Sequence, residues 1–525
     1  MSIGRHRHRL ITEENSRWWT LGAMCFALFM MMLDNTVVNV ALPSIQRDLH
    51  ASLSALEWTV NAYTLTLAVM LITGGRLGDI FGRRLLFLTG VVVFGLSSLV
   101  IGFSPNDTVL VVFRAVQGIG AACMMPASLA IITQAFPPHE RGTAIGTWAG
   151  VSALALAIGP VVGGFLTQDV SWRAIFFINP PIAVVAVLVC LFAAHESRDE
   201  SVGRKLDYRG FALVTIGLTA LVLALIEANS WGWGSSRTIA LLVGSALVLT
   251  AFVGTELQVP HPMLDFSFFR NRTSAGVNMV AFIVSFAMFA QFFFMTLYMQ
   301  NVMNLSPLAT GVRFLPSTLV LVVLGPVAGR LTDRIGPRPL MVTGLILVAI
   351  AIYIDSHITV HSDYLGLLLP GFIVMGLGMG TVMSPMSTAA MNAVDRSKAG
   401  AASGVLSMSR MVGSTFGVAV MGAIVTTIGR SKLDRSLPQL PAHARAAIAS
   451  ALGSGSAPSG HVAPGVLAAV REAFVSAVGT GLLVGAIATL VGAVIAWLLI
   501  QSRRATPHAP SPAGEGAAEP LVAEI

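Results

Sequence analysis

The eleven residues 75–85, GRLGDIFGRRL, return in part at 329–339 as GRLTDRIGPRP. Aligned without gaps, the two segments share Gly, Arg, Leu, Asp, Gly and Arg at the first, second, third, fifth, eighth and tenth places. Each copy lies between two apolar runs of about twenty residues, a length that crosses a ~30 Å hydrocarbon core as a helix. The repeat therefore predicts two helical halves in parallel orientation, the way many secondary transporters are built.

The rest of the chain has the composition of a membrane protein. Of its 525 residues, 55% are hydrophobic and only 11% are charged, whereas about 25% are charged in a typical soluble protein. The first apolar run is long, follows a basic arm and lacks a small-residue cleavage site, so we expect it to remain as a membrane helix. Fourteen apolar spans are predicted, at 18–41, 57–78, 85–103, 109–132, 142–166, 173–194, 210–228, 238–257, 273–299, 308–329, 339–357, 364–387, 400–427 and 473–500.

The distance between the two repeats indicates the domain organisation. Six spans of roughly 30 residues each predict an offset of about 180–200 residues, but the copies lie 254 residues apart. The excess matches two additional helices inserted between the halves. The predicted parts are a basic arm 1–17, an N-terminal six-helix bundle 18–196, a connector 197–209, two inserted helices 210–257, a C-terminal six-helix bundle 273–500 with an external loop 428–472, and a tail of disordered composition 501–525.

The distribution of charge indicates the orientation and excludes several classes of function. With fourteen crossings and a cytoplasmic amino terminus, 21 of the 32 Lys and Arg residues fall in cytoplasmic segments and 8 outside. The positive-inside rule thus predicts a cytoplasmic membrane protein with both termini in the cytoplasm, and the net charge of +7 needs no nucleic-acid partner. The Ala-rich, Lys-poor composition favours a bacterial membrane. We find no phosphate-binding loop, nucleophile constellation or metal cluster, and the three cysteines lie unpaired inside spans. We therefore expect no enzyme activity, no metal and no cofactor.

Two charged residues inside spans are the strongest candidates for function. Asp34 lies in the apolar stretch MMLDNTVVNVALP (31–43), where a charge near the bilayer centre costs on the order of 3 kcal/mol. Arg114 is an equally unusual cation, so we expect it to pair with Asp34, and Gln117 shares its helix face. Burial disfavours the carboxylate and a guanidinium favours it, so this carboxyl could bind and release a proton in each cycle. A purely structural buried pair is the alternative.

These segments together resemble the major facilitator superfamily, and within it the fourteen-helix drug–proton antiporters, which include exporters of quaternary ammonium compounds. The resemblance covers Trp18 to Leu499. It is carried by LDNTVVNVALP (33–43), GGRLGDIFGRR (74–84), FRAVQGIGAA (113–122), GVSALALAIGPVVGG (150–164) and SWRAIFFINPP (171–181). It implies an all-α polytopic membrane protein with the major facilitator fold: two six-helix bundles plus two inserted helices.

The resemblance also implies roles for particular residues. It implies that Asp34 and Arg114 carry out proton coupling. The repeated loop implies a latch that holds the halves in one access state, with Gly75, Asp79, Gly82, Arg83, Arg84 and Asp333. A helix that marks proton-exchanging exporters implies roles for Gly159, Pro160, Gly163 and Gly164. A solvated basic loop and ordinary small-residue packing are the plainer interpretations of these two segments.

Candidates for a substrate cavity are less specific. They are the polar and aromatic residues Asn35, Asn39, Trp58, Asn61, Tyr63, Gln117, Phe289, Gln291 and Phe293. Phenylalanines that face lipid are the alternative for the last group. Glu227 is a possible accessory acid, but an interfacial place beside Trp231 and Trp233 explains it equally well.

The predicted function is proton-coupled efflux of lipophilic or cationic drugs and toxic compounds by alternating access. The expected partners are small-molecule substrates, protons and membrane lipids, and we expect a monomer. Two alternatives stay open: a dedicated exporter of a lipid or a self-made antibiotic, and a facilitator without proton coupling.

Overall fold

The computed structural model describes residues 13–51, 53–137, 139–198, 207–259, 262, 264, 266–395, 398–454 and 464–501. Most of the basic arm, residues 199–206 of the connector, residues 455–463 of the external loop and nearly all of the tail lie outside these ranges. Within them the chain forms helices and no strands, so the all-α fold is confirmed.

The described ranges contain fourteen long helices, which we number in chain order. They are α1 (Glu13–Leu49), α2 (Leu53–Phe81), α3 (Arg83–Gly102), α4 (Asp107–Ala135), α5 (Arg141–Phe165), α6 (Asn179–Ala193), α7 (Tyr208–Trp231), α8 (Ser236–Glu256), α9 (Arg272–Asn301), α10 (Pro307–Ile335), α11 (Pro337–Asp355), α12 (Leu369–Asn392), α13 (Ala399–Ser436) and α14 (Pro464–Leu499). Thirteen helices of the described part are long and apolar enough to cross a membrane. The remaining long helix, α5, has 25 residues and packs between α1 and α10.

The same pairs of helices pack together in both halves of the molecule. In the first half, α1 packs on α5 and α6, α4 on α2 and α3, and α3 on α6. In the second half, α9 packs on α13 and α14, α12 on α10 and α11, and α11 on α14. Adding eight to each helix number converts one set into the other, so the sequence repeat corresponds to a repeat of packing.

The inserted helices α7 and α8 pack on each other, and α7 also packs on α2 and α13. Because α2 belongs to the first half and α13 to the second, the inserted pair covers the seam between them. The apolar cluster at this seam includes Val69 and Ile72 of α2, Val214 and Leu218 of α7, and Ala401 and Val405 of α13.

The two halves meet closely at one end of the bundle. Arg17 near the start of α1 pairs with Glu140 just before α5, and the backbone nitrogen of Gln501 just after α14 donates to Thr273 Oγ1 at the start of α9. We call this end of the bundle, which carries Glu13 and Leu499, the terminal face; the opposite end is the distal face. Near the terminal face a Cβ atom on Gly142 would lie 2.3 Å from the backbone oxygen of Gly329, and one on Gly75 would lie 2.4 Å from that of Gly400. Such glycines let membrane helices pack backbone to backbone, and the halves are therefore closed against each other here.

Two helix boundaries differ from the sequence prediction for physical reasons. The span predicted at 400–427 continues as helix to Ser436, because a helix can extend into water with polar residues that a hydropathy count omits. The segment 428–472 thus begins inside α13, and it contains the short helix Ala442–Ser454. The span predicted at 173–194 is divided into Ala174–Phe177 and α6, since the prolines after Asn179 begin a new helix.

Candidate functional site

The Asp34 carboxyl is the centre of a buried polar network in the first half. Asp34 is 1% exposed. Its Oδ2 accepts a hydrogen bond of 2.5 Å from Arg114 Nη1, and its Oδ1 accepts from Gln117 Nε2 at 3.2 Å and from Asn179 Nδ2 at 2.9 Å. Three donors from α4 and α6 thus stabilise a carboxylate that α1 carries into the bundle interior. The pairing of Asp34 with Arg114, and the addition of Gln117, agree with the sequence expectation.

The Arg114 guanidinium has further partners besides the carboxylate. Its Nη1 donates to Gln117 Oε1 at 2.7 Å and its Nε donates to the backbone oxygen of Thr59 at 3.0 Å. Its carbon Cζ lies 4.4 Å from the centre of the Tyr63 ring, which gives a cation–π contact. Arg114 therefore keeps several contacts even when the Asp34 charge is removed.

Asn179 is a network residue that sequence reasoning missed. It is fully buried, and its Nδ2 also donates to Ser98 Oγ at 2.9 Å, which links α3 to the site. The available signal was the segment INPP (178–181), where a polar residue precedes two prolines at a helix start. Among the described residues, neither Asn179 Oδ1 nor the buried Tyr63 hydroxyl has a hydrogen-bond partner.

The first copy of the repeated loop joins the two halves at the terminal face. Asp79 is fully buried and its Oδ1 accepts from Arg83 Nε at 3.0 Å and Arg83 Nη2 at 2.7 Å. The same carboxylate accepts from the backbone nitrogens of Gly400 at 3.0 Å and Ala401 at 2.7 Å. Asp79 at the end of α2 thus caps the first turn of α13 in the other half, where free N–H groups and the helix dipole favour a negative charge.

The second copy makes the equivalent contact in the opposite direction. Asp333 lies near the end of α10, and its Oδ1 accepts from the backbone nitrogen of Gly142 at 3.3 Å. Gly142 is in the first turn of α5, so an aspartate of the second half caps a helix of the first. The repeated sequence therefore forms two reciprocal caps at the terminal face.

Glu196 is a second residue that sequence reasoning missed. Its two carboxylate oxygens accept from the backbone nitrogens of Arg84 and Leu85, each at 3.0 Å, and so cap α3. Gly82, which precedes α3, has φ of +118°, and a Cβ atom there would lie 2.7 Å from Glu196 Cδ. Glycine is therefore required at this turn. The Arg84 side chain donates to the backbone oxygen of Leu191 at 2.8 Å, which ties the loop to α6.

The small residues of α5 differ in their surroundings. A Cβ atom on Gly159 would lie 1.7 Å from Thr36 Oγ1, and one on Gly163 would lie 2.6 Å from Val37 Cγ1. Both glycines thus allow α5 to pack on α1 within one turn of Asp34. Gly164 has open space at the corresponding position, and Pro160 falls within the same helix.

Of the cavity candidates, Tyr63 and Gln117 both contact Arg114 in the Asp34 network. Asn39 is exposed and donates to the backbone oxygen of half-buried Asn35 at 3.2 Å. Trp58, Asn61 and, at the end of α7, Glu227 are half-buried.

The three candidates on α9 lie on two different faces. Phe289 is 39% exposed and Phe293 is 38% exposed, one turn apart on one face of α9. Gln291 lies on the opposite, buried face and donates to Asp355. The aromatic pair and the amide therefore do not line one pocket.

The described part contains no group of His, Cys, Asp and Glu side chains that could hold a metal ion. At the distal face, Asp48 pairs with Arg173 and accepts from Trp172 Nε1 at 3.0 Å. The Arg173 hydrogen bond, with that of Trp172, lowers the pKa of the Asp48 carboxyl. Asp48 lies beyond the predicted span 18–41, and the pair ties the end of α1 to the segment before α6.

The sequence matches the family model of the Major Facilitator Superfamily over residues 24–418 and 277–523. The chain belongs to the Major Facilitator Superfamily. It is accordingly a multi-pass membrane protein and a transporter rather than an enzyme.

Two relatives and one solved structure illustrate the likeness. The chain is 35% identical to the tetracenomycin C resistance and export protein of Streptomyces glaucescens, over 94% of this chain and 93% of that one. It is 37% identical to the puromycin resistance protein pur8 of Streptomyces alboniger, over 93% and 92%. The crystal structure of the human organic anion transporter MFSD10 (TETRAN) matches with a TM-score of 0.57 at 14% identity, over 93% of this chain and all of that one. The last comparison shows the fold alone.

Proposed function

We propose that this protein is a proton-coupled exporter of lipophilic or cationic small molecules that works by alternating access. The names of its relatives, which refer to resistance and export, support efflux as the direction of transport. The observation that carries the coupling is the Asp34 site: a membrane-embedded carboxyl held by one guanidinium and two amides. Intramembrane acids of this kind serve as proton relays in transporters.

The contacts of Asp34 suggest how one proton changes the site. Protonation cancels the negative charge, so the ion pair with Arg114 loses its electrostatic attraction. Arg114 then retains Thr59, Gln117 and the Tyr63 ring as partners, so the cation is not left without contacts. The amides of Gln117 and Asn179 can reorient to accept from the protonated carboxyl. The link from α1 to α4 and α6 therefore depends on protonation.

The terminal face is the cytoplasmic face in this proposal, as the distribution of Lys and Arg predicts. The caps formed by Asp79 and Asp333 close the halves there, so the conformation described is closed to the cytoplasm. A proton then reaches Asp34 from the distal, external side. The substrate enters when the caps separate, from the cytoplasm or the inner leaflet of a bacterial membrane. No cofactor is required, and the unit of transport is a monomer surrounded by lipid.

The energy of one proton is sufficient for this task. A potential of about 150 mV supplies roughly 3.5 kcal/mol per charge at ~2.3 kcal/mol per 100 mV. At about 1.4 kcal/mol per tenfold change, one proton supports a substrate gradient of roughly 300-fold.

A second candidate function is export of an antibiotic that the host cell makes. The relative named for tetracenomycin C resistance and export favours it. The same carboxyl site serves both candidates, so they differ in substrate and share a mechanism.

Transport by inverted membrane vesicles tests the proposal. The probes are ethidium, a lipophilic cation, and puromycin. We expect proton-driven uptake of at least one probe by the wild type, loss of uphill uptake in Asp34→Asn, and normal uptake in Asp169→Asn. Asp169 is an exposed acid of the same half, so it is a matched control.

Three results would contradict the proposal. Undiminished uphill uptake by Asp34→Asn removes Asp34 from the mechanism. Uptake that persists after an uncoupler supports the facilitator without proton coupling. Failure of the wild type to transport either probe excludes these two compounds as cargo and favours a dedicated exporter.

A further inference from the structure

The second half contains a buried acid that the proposed proton site does not include. Asp355 is the last residue of α11 and is fully buried, and Gln291 of α9 is 2% exposed. Gln291 Nε2 donates to Asp355 Oδ2. Among the described residues, neither Asp355 Oδ1 nor Gln291 Oε1 has a hydrogen-bond partner. The Asp355 carboxyl therefore accepts a single hydrogen bond, whereas an ionised carboxylate would need several.

The described surroundings of Asp355 contain no cation that pairs with it. Its Oδ1 lies against the backbone of α12, where a Cβ atom on Gly371 would be 2.2 Å away. The nearby elements carry other titratable or charged groups, but none of these hydrogen-bonds or ion-pairs with Asp355: Tyr298 on α9, Arg313 on α10, Tyr353 on α11, His357 after α11, Tyr364 before α12, and Arg471 and Glu472 on α14.

Three physical effects disfavour an ionised Asp355. An unpaired carboxylate is very costly in an apolar interior, and such groups take up a proton instead. Gln291 is neutral, so it offsets little of that cost. Asp355 also terminates α11, and the negative end of the helix dipole repels a carboxylate. A proton on the Asp355 carboxyl removes its charge and turns it into a hydrogen-bond donor. Gln291 Oε1, which has no donor among the described residues, could accept that hydrogen bond.

The location of the pair corresponds to that of the Asp34 network. Asp34 and Ser98 lie on the first and third helices of the first half and are joined through Asn179. Gln291 and Asp355 lie on the first and third helices of the second half. Gln291 lies 257 residues after Asp34, and Asp355 lies 257 residues after Ser98. This spacing is the repeat offset of 254 residues plus about one helical turn. The buried acid thus lies on the first helix in the first half and on the third helix in the second half.

We propose that Asp355 is a second proton-binding site of this transporter. It holds its proton in the conformation closed at the terminal face and exchanges it with the distal side. The route is short, because His357, two residues further along the chain, is exposed. The use of this proton in transport depends on the proposed function, whereas its presence on Asp355 does not.

Infrared spectroscopy of the purified protein in nanodiscs tests the protonation directly. The difference spectrum between the wild type and Asp355→Asn at neutral pH should contain the C=O stretching band of a protonated carboxyl. This band should disappear reversibly as the pH is raised. The same band should remain in Asp34→Asn and in Asp363→Asn, an exposed acid at the distal face. Asparagine is nearly isosteric and can keep a hydrogen bond with Gln291, so the variant preserves the packing.

The outcomes separate the two proposals. Absence of the band from the difference spectrum at neutral pH overturns the protonation of Asp355. A band that survives to the highest pH at which the protein stays folded shows a proton that is never released, and overturns the exchange. Both results are independent of transport, so they leave the role of Asp34 untouched.

Accumulation of ethidium in vesicles, or of puromycin if only that is transported, tests the coupling of the second proton. If Asp355 carries one proton per cycle, the limiting accumulation ratio in Asp355→Asn should fall by about 300-fold at ~150 mV, the factor supplied by one proton. An unchanged ratio, with a band that titrates, excludes Asp355 from coupling.

Discussion

Replacement of Asp79 by Asn should shift the transporter away from the conformation closed at the terminal face. The Asp79 carboxylate accepts from the backbone nitrogens of Gly400 and Ala401, which belong to the opposite half. These two bonds exist only while the halves are together. The ion pair with Arg83 lies within one half, so its loss affects both conformations and largely cancels from the equilibrium between them.

The magnitude follows from the two bonds that cross the interface. Hydrogen bonds to charged groups contribute about 1.5–3 kcal/mol each. Asparagine is neutral and has one accepting oxygen, so it loses one bond and weakens the other. We expect the closed conformation to lose about 2–3 kcal/mol, or roughly 30- to 150-fold in its population relative to the open one.

Distance measurements between two spin labels provide the assay. One label replaces His139, whose side chain is 75% exposed before α5, and the other replaces Ile335, 40% exposed at the end of α10. The background lacks the three native cysteines Cys25, Cys123 and Cys190. In the wild type a short distance should dominate, and Asp79→Asn should show a second, longer one. A variant whose distance distribution matches that of the wild type would refute the capping argument; Asp169→Asn at the distal face is the control.

Three further predictions concern other parts of the structure. Replacing Asn179 by Leu should impair proton-driven uptake in vesicles at least tenfold, because one donor to the carboxylate is lost; normal uptake would show that the network tolerates its absence. Gly159→Ala should lower the free energy of unfolding by about 1–3 kcal/mol through overpacking against α1, measured as a lower Tm, while Gly164→Ala, with open space, should not. The pKa of Asp48 is lowered by Arg173, so its stabilising effect is present above the unfolded value of about 4 and is lost as the pH falls through the folded value. The Tm of Asp48→Asn should thus be below that of the wild type at pH 7 and approach it in acid; a constant difference would contradict this linkage.

The sequence predicted those features that local patterns encode. Apolar length specifies the spans, and the duplicated loop specifies the two halves, because both are properties of contiguous residues. The pair of Asp34 and Arg114 could also be predicted, since each charge is unusual in its span and each needs a partner nearby.

The missing features depend on contacts between residues that are distant in the chain and ordinary in their local setting. Asn179 and Asp34 are 145 residues apart, and an asparagine before prolines looks like a simple helix start. Glu196 ends a span, where an acid in water is unremarkable, and only the fold shows that it caps α3. Asp355 also ends a span, and only its burial distinguishes it from an interfacial acid.

The inserted helices have a consequence for access from the membrane. Helix α7 lies over the seam between α2 and α13, so it separates this part of the interface between the two halves from the surrounding lipid. At the seam between α5 and α10, by contrast, α10 presents Leu319, Val323 and Val327 as exposed side chains. The inserted pair α7 and α8 therefore gives the two seams between the halves different surroundings, although the halves themselves repeat the same packing.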